Sequence, residues 1–128
     1  MKVRIYYHHT DCGGVVYYAN YLKFFEEART EFFAEKGFSI KELAEKGTMF
    51  VVARQEVDYK ASAVYGDLLE ISTKVTEMSA VKMVFEHEVR KEAGIVTTKA
   101  KTILVCVDSS LKPKAIPDEV RSSVQGCS

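Results

Sequence analysis

This sequence carries no surplus of either charge: eighteen lysines and arginines balance eighteen aspartates and glutamates. Nucleic-acid binders usually show a basic excess or a basic stripe. Neither is present, so that class is set aside. Weak self-repulsion at balanced charge is compatible with oligomers. Cysteine is scarce, and the spacing of Cys12, Cys106 and Cys127 matches no CxxC metal or redox pattern. An odd count without a secretion signal predicts free thiols in a reducing compartment. No apolar run approaches the ~20 residues needed to span a bilayer. The first residues alternate like a strand instead of joining a charged segment to an apolar run, which is unlike a signal peptide. A cytoplasmic protein with no integral membrane segment is the expectation. Proline occurs only twice, at Pro113 and Pro117, where it punctuates a tail after the last expected strand. The polar residues that end this tail are expected to be mobile.

What is present is a core-forming composition, 47% hydrophobic and 28% charged over 128 residues. That fits one ordered domain spanning residues 1–128. A chain of this size buries roughly two-thirds of its unfolded surface and needs no staples. Lys2 to His9 reads as a strand, and Asp11 to Gly14 as a loop. From Tyr18 to Lys36 the period changes to that of a helix. Tyr21, Phe24, Phe25, Ala28, Phe32 and Phe33 recur at spacings of three and four, while Glu26, Glu27, Arg29, Glu31, Glu35 and Lys36 take the other side. Gly37 is a stop. Ser39-Ile40-Lys41-Glu42 has the form of a capping box and predicts a short helix ending near Gly47.

Strands are expected over Phe50–Lys60, Leu68–Glu77, Val81–Lys91 and Ile95–Asp108, the last two joined by a turn at Glu92-Ala93-Gly94. Close spacing favours consecutive antiparallel hairpins. The outcome is an α+β class in which one aromatic-rich helix covers one face of an antiparallel sheet.

The chemistry concentrates at Asp11. This acid follows a strand, precedes Gly13 and Gly14, and lies just upstream of the long helix. Amides at a helix start lack internal acceptors and carry partial positive charge, so they can stabilise the oxyanion formed when a thioester carbonyl is attacked. Asp11 can then attack that carbonyl or deprotonate a water. Loop acids more often cap turns, and Gly13 and Gly14 can serve positive φ alone. His8 and His9 are neighbours on an expected strand and so point to opposite faces, which argues against one shared metal ion. His9 can instead orient or tune Asp11. Cys12 is a weaker nucleophile candidate because no base for it is evident. His87 lies on the apolar face of its strand and reads as a core or interface residue. Lys82, Arg90, Lys91, Lys99 and Lys101 are solvated charges, a subset of which can hold the phosphates of a nucleotide-bearing thiol carrier.

The stretches Val3–Tyr7, Thr10-Asp11, Gly13–Tyr17, Ala19–Tyr21 and Phe25–Glu31 resemble the 4-hydroxybenzoyl-CoA thioesterase branch of the hotdog-fold superfamily, in particular its YbgC-type acyl-CoA thioesterases. Weaker similarity runs through Phe50–Val52, Ala61–Glu70 and Val105–Asp108. The resemblance implies a hotdog fold, a five-stranded antiparallel sheet around one long central helix. It implies dimers with active sites at the interface, often assembled as homotetramers. The family's catalytic carboxylate falls on Asp11 and its polarising amide on Tyr18. Tyr7, His9, Gly14 and Val15 fall at substrate-binding positions. Many relatives carry acids where this chain has His8 and His9, and a histidine where it has Tyr18. The expected substrate is an acyl-CoA, aliphatic or aromatic, or an acyl carrier protein thioester, with no cofactor and no metal. Two other functions compete: a non-catalytic acyl-thioester binding module, and a hotdog enoyl-thioester hydratase or dehydratase.

Overall fold

The computed structural model describes residues 1–11, 14–16 and 18–125. The readings made for Cys12, Gly13, Tyr17 and Cys127 lie outside these residues. Among them, five strands form one antiparallel sheet in the order β1-β3-β4-β5-β2. They are β1 (Lys2–Arg4), β2 (Met49–Tyr59), β3 (Leu68–Met78), β4 (Lys82–Lys91) and β5 (Ile95–Val107). β3, β4 and β5 follow one another as hairpins, whereas β2 crosses to the far edge and pairs with β5. Register shifts at Val52/Arg54, Val75/Glu77 and Val89/Arg90 bend the strands, since a bulge kinks a strand and increases its twist.

Helix α1 (Tyr18–Glu35) fills the concave side. Its stripe of Tyr21, Phe24, Phe25 and Ala28 is buried together with Ile5, Leu69, Ile71 and Val89. Phe25 is fully enclosed, and Phe25→Ala would cost about 3–5 kcal/mol. The helix ends in a Schellman arrangement. Gly37, at φ +88°, donates to the Ala34 carbonyl, and Phe38 donates to that of Phe33. Helix α2 (Ile40–Glu45) carries the Ser39 half of the expected capping box, the Glu42 amide donating to Ser39 Oγ at 3.2 Å.

The structure corrects four expectations. The first strand stops at Arg4, and Tyr7–His9 form a 3-10 turn. Arg4 pairs with Leu68, the first residue of β3, and Ile5 still exchanges backbone hydrogen bonds with Asp67 and Gly66, where the neighbouring segment turns at Val64–Asp67 and the ladder ends. The segment after β5 is ordered through Gln125: Asp118–Gln125 form helix α3, and Val120 and Val124 join Phe33, Phe85 and Leu104 in a second core cluster, while the expectation for residues 126–128 lies outside the described residues. α1 is therefore not the only helix packed on the sheet. Phe32 is only half-buried, leaving Phe33 as the core aromatic of its turn. Arg29, expected on the solvated side of α1, is buried, with 8% of its surface exposed.

Candidate active site

The loop that carries Asp11 is closed by its own backbone. The Asp11 amide donates to the Val15 carbonyl at 2.9 Å, and the Gly14 amide donates to the Asp11 carbonyl at 3.0 Å. Gly14 sits at φ +80°, and a Cβ added there would meet nothing within 4 Å. Its requirement is therefore conformational and not steric. The Val15 amide donates to Asp11 Oδ1 at 3.3 Å, which orients the half-buried carboxylate. Thr10 pairs with Val16, and the Val16 amide donates to Ala63 at 2.9 Å. This clamp brings the acid to the head of α1, which begins two residues after Val16. Tyr18 is the first helical residue, so its amide has no intrahelical acceptor. Asn20 Nδ2 donates to the His9 carbonyl at 2.9 Å and ties the first turn of α1 to the segment before the loop.

His9 is committed locally. Its Nδ1 accepts from the Tyr6 amide at 2.9 Å, and its ring stands edge-on to Phe24, 5.3 Å between centroids. Burial, followed by the neighbouring His8, lowers its pKa, with Glu27 opposing. The expectation that His8 and His9 face apart fails because the segment is a 3-10 turn: their rings lie 4.1 Å apart. Among the described residues no cluster of three or more metal-ligating side chains forms. Tyr7 is 81% exposed and meets Tyr65 edge-on at the rim of the loop.

Of the basic candidates, Arg90 and Lys99 surround Glu88 on the sheet face away from α1. Lys91 instead donates to the Ser62 carbonyl at 3.0 Å, in the segment that pairs with the Asp11 loop.

Two cavities open along the seam between α1 and β2. A small one of about 180 Å³ is bordered by Val15, Tyr21, Tyr59 and Lys60. A larger one of about 390 Å³ lies further along, walled by Leu22, Phe33, Phe50, Val52 and Leu104. Its polar lining is Arg29, Glu26, Thr30 and Gln55. Arg29 Nη1 donates to Thr102 Oγ1 at 3.3 Å, Thr102 Oγ1 donates to Gln55 Oε1 at 2.8 Å, and Gln55 Nε2 donates to the Lys101 carbonyl at 3.2 Å. Sequence reasoning missed this group. One signal was available: Arg29 lies four residues after Phe25 and four before Phe33, in register with buried positions.

A curled antiparallel sheet around a central helix, with an acid loop at the helix head, defines the hotdog class. The chain belongs to the thioesterase-like superfamily, whose family model matches residues 5–124. It is 40% identical over 119 residues to the acyl-CoA thioester hydrolase YbgC of Escherichia coli O6:H1, covering 92% of this chain and 89% of that one. It is also 40% identical over 123 residues to the acyl-CoA thioesterase YbgC of Haemophilus influenzae, covering 94% and 90%. Among solved structures, the DHNA-CoA thioesterase of Staphylococcus aureus matches with a TM-score of 0.91 and 31% identity over 98% of this chain and 89% of that one.

Proposed function

We propose that this protein is an acyl-CoA thioesterase that hydrolyses its substrate to a free acid and CoA, with Asp11 as nucleophile or general base and the Tyr18 amide as the donor to the thioester oxygen. The observation that carries the assignment is the closed loop that holds the Asp11 carboxylate, through the Val15 amide, at the head of α1. The names of the similar proteins support the reaction class. In either mechanism water supplies the hydroxyl of the product acid, and the leaving thiolate takes up a proton. An amide pointed at the developing oxyanion contributes roughly 2.7–4 kcal/mol in other hydrolases. Gly14 and Val15 shape the turn beneath the thioester, and Tyr7 and His9 border its entrance.

The working unit is a homo-oligomer, a dimer or a pair of dimers. β2 is an eleven-residue sheet edge with Val51, Val52 and Tyr59 exposed. An unpaired edge of that length is a template for another strand. Twofold antiparallel pairing would set the first half of one β2 against the second half of its partner. Phe50, Val52 and Gln55 border the larger cavity, and Tyr59 borders the smaller one beside Val15. The pairing therefore supports a site in which the Asp11 loop of one subunit faces the larger cavity of the other.

The test is thiol release from a panel of aliphatic and aromatic acyl-CoAs by wild type and Asp11→Asn. The expected result is turnover by wild type and a loss of ~10²-fold or more in a folded Asp11→Asn protein. Binding without turnover would favour an acyl-binding module, and enoyl-thioester hydration above hydrolysis would favour a hydratase.

A further inference from the structure

Arg29 poses a physical problem that the catalytic assignment leaves unanswered. Its guanidinium offers five N–H donors and accepts nothing. It is more than nine-tenths buried, yet among the described residues it makes one hydrogen bond, to a neutral hydroxyl, and no ion pair within 4 Å. Buried charges are normally paired, because desolvation without a counter-charge costs several kcal/mol. Glu26 lies one turn earlier on the same wall, but it is exposed and outside ion-pair distance. Another neighbour, His87, has a neutral and a cationic form and neither can neutralise Arg29. The chain Arg29–Thr102–Gln55–Lys101 nonetheless fixes the guanidinium in a defined orientation. A fixed cation beside a largely apolar cavity matches a ligand with an apolar body and an anionic end. The cavity volume of about 390 Å³ lies within the usual small-ligand range.

We infer that the cavity between α1 and β2 receives the acyl group and that Arg29 selects acyl groups ending in a carboxylate. The substrate class is then an ω-carboxyacyl-CoA, the monothioester of a dicarboxylic acid. This rests on the thioesterase assignment and names the substrate class of that site. The planar guanidinium suits a carboxylate because both oxygens can accept from it at once. The methylene body packs against Leu22, Phe33, Phe50 and Val52, and Thr102 and Gln55 act as positioning residues. Under the twofold pairing of β2, the selecting Arg29 and the attacking Asp11 belong to different subunits.

The experiment compares succinyl-, adipoyl- and suberoyl-CoA with butyryl-, hexanoyl- and octanoyl-CoA on wild type, Arg29→Met, Arg29→Lys and Thr102→Val. Wild type is expected to prefer at least one carboxyacyl substrate over its methyl-ended counterpart by ~10-fold or more in kcat/KM. Arg29→Met should abolish that preference chiefly through KM, with a loss on each carboxyacyl substrate ~10-fold or more greater than the loss on its methyl-ended counterpart. Arg29→Lys should restore part of it. Thr102→Val, which keeps the charge and loses its anchor, should fall between and provides the test if Arg29→Met does not fold. Equal activity on both series in wild type, or an equal loss on both in Arg29→Met, overturns the inference and leaves the thioesterase assignment standing. Calorimetric binding of adipoyl-CoA against hexanoyl-CoA, in Asp11→Asn with and without Arg29→Met, separates the two claims. A preference lost with Arg29 supports the pocket even if no substrate turns over, and no preference overturns it.

Discussion

His87 shows at the scale of one residue how the interior below the seam is held. Its ring stacks on Phe25 with centroids 4.9 Å apart, and its Nδ1 lies 3.1 Å from Thr73 Oγ1. Among the described residues Nε2 has no partner. Burial first, and the Arg29 cation second, push its pKa down to about 3. The unfolded chain takes up a proton near pH 6.5 that the folded chain refuses until about pH 3. The unfolded state thus binds more protons in that window, so stability falls as the pH falls. The slope approaches ~1.4 kcal/mol per pH unit once the unfolded imidazole is fully charged. Urea titrations between about pH 6.5 and pH 4 should show this loss in wild type and a shallower one in His87→Gln, whose amide does not titrate. Parallel slopes in the two proteins would mean that carboxylates alone govern the acid limb.

At the scale of elements, α3 is the part whose contribution is most easily underestimated. Pro117 precedes it, Asp118 and Glu119 occupy its first turn, and Arg121 Nη2 donates to the carbonyls of Ser79 at 2.6 Å and Ala80 at 3.1 Å. Acids suit a helix N-terminus, and Ile116, Val120 and Val124 repeat every four residues, so the helix was legible where only a tail was expected. Val120 is fully buried. Removing its two methyl groups in Val120→Ala should cost about 2 kcal/mol, from roughly 0.8 kcal/mol per buried carbon plus a cavity term. Denaturant titration checks this, and a cost near zero would detach α3 from the core. The strongly periodic elements needed no tertiary information: α1 through its three-and-four spacing, β3 and β4 through their alternation, and the Asp11 loop through its glycines ahead of a helix. What sequence could not supply depended on distant partners. β1 ends where its neighbour turns away at Asp67, and β2 pairs with β5 at the edge opposite β1 instead of with β3, the next strand in the chain. The Arg29 group gathers residues 29, 55 and 102 from three elements, so the spacing that places Arg29 on the buried stripe says nothing of the partners it meets there.

The whole molecule is where the two halves of the seam meet. Within one chain the Asp11 loop adjoins the end of β2 that carries Tyr59, while the Arg29 cavity adjoins the end that carries Phe50 and Val52. Antiparallel pairing of two β2 edges reverses that order across the interface, so each complete site would draw Asp11 from one subunit and Arg29 from the other. Such an arrangement predicts complementation. Asp11→Asn and Arg29→Met are each expected to be poor on a carboxyacyl-CoA, for different reasons. A mixed dimer pairs the intact Arg29 of the first variant with the intact Asp11 of the second, and so contains one complete site. Random co-assembly in equal amounts makes half of the dimers mixed, so activity should recover to about a quarter of wild type. Separately purified variants combined without subunit exchange should show none of this gain. If both groups serve the same site within one chain, co-assembly leaves every site defective and activity stays at the level of the separate variants. The outcome thus decides whether the β2 edge completes the active site.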